Sequence, residues 1–114
     1  MSLALLAVVL SAAFLQVGSA YDVIMTNKGL KYGIWAEGNS LIVKMFGPKP
    51  SPVQSWIGAG IWNSMVQIPT LLTLLGLPVM VWAGVGGCVA FGIKHIIGGL
   101  QWRTLMNAQD ALKK

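Results

Sequence analysis

Three acids and one histidine are all that this 114-residue chain offers for acid–base or metal chemistry: Asp22, Glu37, Asp110 and His95. Asp22 stands out, because no charge precedes it from Met1 to Tyr21 and it still falls within an apolar stretch. A carboxylate at the centre of a membrane helix costs about 2.5–3.5 kcal/mol, less near an end, and such groups pair or line an ion path. Two uses fit Asp22. It is either a polar anchor, paired with Lys94, His95 or backbone donors where the helices end, or a proton or ion site; pairing is the commoner use. Helical spacing puts Asp22, Thr26, Gly29 and Gly33 on one face, polar and then small, which suits close approach of another helix. His95 with Asp22 and Glu37 makes three metal ligands at most, with no fourth in sight, so neither metal nor cofactor is expected. No Ser/His/Asp set, phosphate loop or cofactor motif is legible, and the chain reads as a non-enzyme.

Two further groups invite a packing reading. Asn63 and Gln67, four apart with Ser64 beside them, share a helical face and suit interhelical hydrogen bonds; a polar path is the rarer use. Gly84, Cys88 and Gly92 recur every four residues, a stripe of small residues for close helix contact. Cys88 is the only cysteine, which excludes an internal disulfide.

The elements that must hold these residues are apolar helices. The 44 residues from Pro50 to Ile93 carry no Asp, Glu, Lys, Arg or His, and the chain is 55% hydrophobic and 10% charged. Soluble domains carry roughly 25% charged residues. A run of this length exceeds one crossing of about 30 Å of hydrocarbon. Leu75-Gly76-Leu77-Pro78 supplies the break, with Gly suited to a helix end and Pro to a first turn. The expectation is an all-α integral membrane protein of one domain. Its three spans fall at about 2–27, 52–75 and 78–99, with an interfacial loop over 28–51 and an amphipathic tail over 100–114. Pro69 bends the second span. A cleaved signal peptide is the rival for the first, since Gly18-Ser19-Ala20 resembles a cleavage site, but no Lys or Arg precedes the apolar run.

Charge fixes the expected orientation. Lys28, Lys31, Lys44 and Lys49 fall between spans one and two; Lys94, Arg103, Lys113 and Lys114 fall at or after the end of span three. Three spans put all eight on one side, so the positive-inside rule predicts an outer N-terminus and a cytoplasmic C-terminus. Lys28, Lys31, Lys44, Lys49 and Arg103 then meet anionic headgroups, and the net charge of +5 serves the bilayer rather than nucleic acid. Asn39 or Ser40 is placed to cap a short interfacial helix through Phe46, which Gly47-Pro48 ends. Trp102, Leu105, Met106, Gln109 and Leu112 recur at helical spacing and predict a tail along the interface. Trp35, Trp56 and Trp102 suit the aromatic belt, with Trp82 on the outer side.

Asp22-x-x-Met25-Thr26, then Gly33, then Glu37-x-Asn39-Ser40 resembles the signature of a family of small bacterial and phage membrane proteins. That family has about three spans, an Asp-x-x-Thr-Thr at the end of the first, then a Gly and a Glu-x-Asn-Pro, and no established function. The match runs from Asp22 to Ser40, with Met25 in place of a Thr and Ser40 in place of the Pro. The resemblance implies that Asp22, Thr26, Glu37 and Asn39 form one structural unit at the cytoplasmic surface.

The function expected is that of a non-catalytic structural or assembly subunit in a bacterial inner membrane or phage-derived membrane. It would act as a homo-oligomer or within a larger complex. Two other readings share the outline: a holin-like pore former, with Asn63, Ser64 and Gln67 facing a lumen, and a small ion- or proton-coupled subunit centred on Asp22.

Overall fold

A computed structural model describes residues 2–33, 37, 40–77 and 81–113, and among them the regular structure is all helical. Helix α1 spans Leu3–Leu30, α2 Ser40–Phe46, α3 Pro52–Val66, α4 Ile68–Leu74 and α5 Val81–Leu112. Local chemistry sets several of the ends. Ser2 Oγ accepts from the Leu5 N–H to open α1. Ser51 and Gln54 form a reciprocal capping box at the start of α3, with Pro52 at its first position. Gly76, at φ +101°, takes the chain away from the end of α4 in a conformation that a side chain disfavours.

Helices α3 and α4 are one broken element. The break is at Gln67, two residues before Pro69, which has no N–H to give to the preceding turn. The bend expected at Pro69 is thus an interruption just before it. Helix α5 is unbroken through Leu112. Residues 100–112, expected as a separate tail along the interface, instead continue that helix for three more turns.

The dominant packing is α1 against α5, and the two run parallel. Going up α1, Gly18 meets Gly92, Asp22 meets His95, Tyr21 meets Gly99 and Gly29 meets Trp102. Beyond the end of α1, Tyr32 meets Asp110. The α3–α4 element returns in the opposite sense, with Trp62 against Phe91, Val66 near Gly87 and Thr70 against Gly84. Small residues make this possible. A Cβ on Gly18 would lie 2.8 Å from the Gly92 carbonyl oxygen, and one on Gly92 would lie 2.5 Å from the Phe14 ring. The buried faces are Val8, Ser11, Leu15, Gly18 and Thr26 on α1, and Gly84, Cys88, Gly92, His95 and Gly99 on α5.

Helices α1 and α5 are long and apolar enough to cross a membrane, about 42 and 48 Å at 1.5 Å per residue. In each, only 28% of the most apolar window is buried in the molecule. A soluble core helix hides its apolar window; these two turn most of it outward, which points to a membrane location.

Candidate polar cavity at the basic end of the bundle

Asp22 lies two turns before the end of α1, and the parallel register brings His95 of α5 beside it. His95 Nδ1 is 2.8 Å from Asp22 Oδ2. The carboxylate accepts, so the proton of this bond sits on Nδ1, and in the neutral ring Nε2 is then an acceptor. Thr26, one turn along α1, donates its hydroxyl to Asp22 Oδ1 at 3.4 Å. Gly98 gives the carboxylate room, since a Cβ there would lie 3.0 Å from Oδ1. The imidazole is buried and the carboxylate is about a quarter exposed.

Around this pair is a cavity of ≈ 50 Å³. Asp22, Val23 and Thr26 come to it from α1, His95 from α5, and Ser55, Gly58, Ala59 and Trp62 from α3. Ile42 of α2 and Glu37 close the remaining side. Glu37 is held by its backbone, whose N–H donates to the Pro48 carbonyl at 2.7 Å, and Lys49 Nζ donates to the Gly33 carbonyl at 3.0 Å. Helix α2 reaches α3 through Ile42, which packs on Gly58.

Several buried polar atoms have no partner: Asn27 Oδ1, Ser55 Oγ, Asn63 Oδ1, Thr70 Oγ1 and His95 Nε2. Ser55 and His95 are both cavity residues, and since neither atom has a partner they are not bonded to each other. A carboxylate–imidazole pair is therefore assembled, with the Thr26 hydroxyl bonded to the carboxylate and the Ser55 hydroxyl not bonded to the imidazole. Among the described residues no group of three His, Cys, Asp or Glu side chains is placed to hold a metal ion.

Of the residues singled out in the sequence, Asp22, Thr26, Glu37 and His95 meet at this cavity. Lys94, the other candidate partner of Asp22, points its ammonium over the Phe91 ring, 5.6 Å from the centroid. Asn39 and Trp35 lie outside the described residues. Gly33 lies beyond the end of α1, in a turn at φ +78°, so only Asp22, Thr26 and Gly29 share the helical face. Asn63 is buried and Gln67 is half-buried at the helix break, where its N–H donates to the Asn63 carbonyl at 3.0 Å. Gly84, Cys88 and Gly92 lie on the buried face of α5, against α4 and α1. Lys28, Lys31, Lys44, Lys49 and Arg103 are all exposed.

Sequence reasoning missed Ser55, Trp62, Gly18, Gly99 and the Tyr32–Asp110 bond. Ser55, Ala59 and Trp62 do recur at helical spacing, which is a usable signal. Tyr32 and Asp110 are 78 positions apart, and only the parallel register brings them together. Tyr32 donates to both Asp110 oxygens at 3.0 and 3.1 Å, and Lys113 Nζ lies 5.2 Å from the centre of its ring.

The fold defines a class: an all-helical chain with two helices able to cross a membrane, closed by a small-residue seam and a polar cavity. No family model, curated protein or solved structure matches the chain.

Proposed function

We propose that this is a non-catalytic, three-span integral membrane protein that works as a structural or assembly subunit of a bacterial or phage membrane complex. The observation that carries the reading is the parallel run of α1 and α5. If both cross the bilayer in the same sense, the chain between them must cross back once. The α3–α4 element runs in the return direction, and its 23 residues from Pro52 to Leu74 are enough for about 30 Å of hydrocarbon.

Charge supports the orientation. In this arrangement the end of α1, the start of α3 and the end of α5 share one end of the bundle, with Lys28, Lys31, Lys49 and Arg103. The opposite end, at Leu3 and Leu77, is uncharged. The positive-inside rule then puts the C-terminus in the cytoplasm and the N-terminus outside, with the lysines against anionic lipid. The resemblance over Asp22–Ser40 is to small bacterial and phage membrane proteins of this kind, and Asp22, Thr26 and Glu37 meeting at one cavity is in keeping with a polar unit at the inner surface.

Assembly is supported by the small residues left over. Gly84, Gly92 and Gly99 are filled by Thr70, Phe14 and Tyr21, while Gly60 and Gly86 have nothing within 4 Å. Such outward glycines let another apolar helix approach closely. Ser64 spends its hydroxyl on the Gly60 carbonyl at 2.8 Å and Asn63 is turned inward, so this face is poorly suited to line a pore. Nanodisc extraction from the native source with native mass spectrometry tests the reading. A defined complex, with copies of itself or other chains, is expected. A monomer throughout, or sudden loss of membrane potential on induced expression, contradicts it.

A further inference from the structure

We infer that the cavity between α1, α3 and α5 is a binding site for a primary ammonium group. Its walls are rich in hydrogen-bond acceptors. The Asp22 carboxylate, His95 Nε2 in the neutral ring, and the hydroxyl oxygens of Ser55 and Thr26 belong to residues that line it. His95 and Ser55 are 8% and 5% exposed, and His95 Nε2 and Ser55 Oγ are buried without partners. A buried acceptor left unpaired is costly, and an N–H donor placed beside it removes the cost.

The charge pattern selects a cation. The chain has eight Lys and Arg against three acids, yet two of those acids line this cavity. No Lys or Arg is among its described lining residues. Lys94 is next to His95 in sequence but is drawn to Phe91, and Lys49 is engaged by the Gly33 carbonyl. Lys28, on the turn of α1 after the pair, is exposed. Trp62 adds an aromatic wall, which favours an organic cation over a bare ion.

Size narrows the ligand. The ≈ 50 Å³ of the cavity is several times the roughly 10–15 Å³ that admits one water, room for a small group of a few non-hydrogen atoms. An ammonium with two carbons fits. A trimethylammonium group has no N–H to donate. The twenty residues from Leu3 to Asp22 match the length of one hydrocarbon crossing, so the cavity is near the inner headgroup layer. The ammonium is then the head of an ethanolamine lipid or a free small amine. This last step rests on the three-crossing reading; binding itself does not, and is measured first in micelles.

The experiment follows the ¹⁵N signals of His95, the only histidine, in the full-length protein as ethanolamine is added, with tetramethylammonium as control. Ethanolamine is expected to shift the ring nitrogens saturably and tetramethylammonium to leave them in place. Asp22→Asn is expected to weaken binding about tenfold or more, by loss of a charge-assisted bond, and Ser55→Ala about fivefold. Ser55→Ala keeps the test valid if Asp22→Asn fails to assemble. Nanodiscs of phosphatidylethanolamine and of phosphatidylcholine separate the sources. Weaker apparent binding of free ethanolamine in the first assigns the lipid head, and equal binding assigns the free amine. No saturable shift in either setting, or an equal response to tetramethylammonium, overturns the site and leaves water as the occupant.

Discussion

Gly18 and Asp22 show how single residues hold this bundle. At Gly18 the neighbour is backbone, the Gly92 carbonyl, which has no rotamer to change. Gly18→Ala is expected to cost about 1–3 kcal/mol, read by reversible unfolding in micelles, while Gly60→Ala, with open space around it, serves as the control with no comparable loss of monomer stability. The Asp22–His95 bond joins the same two helices by charge. A double-mutant cycle of Asp22→Asn and His95→Ala is expected to give a coupling of about 1.5–3 kcal/mol, the range for hydrogen bonds to charged groups. A coupling near zero would remove the anchor role. Outside the spans, the bond to Asp110 pushes the Tyr32 phenol above its usual 10.0. A raised value in the folded state means that the contribution to stability is full below the ordinary pKa and is lost as pH climbs through the raised one. Tyrosinate absorbance in a Tyr21→Phe background is therefore expected to appear at lower pH once Asp110→Asn is introduced. An unchanged titration would contradict the bond.

At the scale of elements, the legible features were those set by local chemistry. The helix start at Pro52, the short helix to Phe46 and the break at Leu75–Gly76 all show in residue type, because helix ends and turns depend on near neighbours. What was not legible is what long-range packing decides. Nothing in Trp102 through Leu112 reveals whether that amphipathic stretch lies flat or continues α5; Trp102 packing on Gly29 and Asp110 holding Tyr32 keep it aligned with the bundle. The cavity was half legible in the same way. Asp22 and His95 were conspicuous as rare polar groups among apolar ones, but Ser55 and Trp62 are ordinary residues until α3 is laid beside them. The turn after α4 offers a further check. Gly76→Ala places a side chain at φ +101° and is expected to lower stability by about 1–2 kcal/mol, whereas Gly86→Ala, on an open helical surface, does not.

For the whole molecule, the parallel seam is the feature from which the rest follows. It gathers the exposed cations at one end, leaves the other end uncharged, and sets Asp22 and His95 at the same height in the bundle. Two antiparallel spans would have put the start of α1 and the end of α5 on one side. The parallel pair puts them at opposite ends of the bundle and, if both helices cross, on opposite sides of the membrane, which is directly measurable. The decisive experiment uses a Cys88→Ala background with single cysteines at Ser2, Pro48, Gly76 and Asn107, probed in sealed vesicles with a membrane-impermeant maleimide. Three crossings predict that Ser2→Cys and Gly76→Cys label from the outer side, and Pro48→Cys and Asn107→Cys only after the inner side is opened. Labelling of Ser2→Cys and Asn107→Cys from the same side would contradict the account.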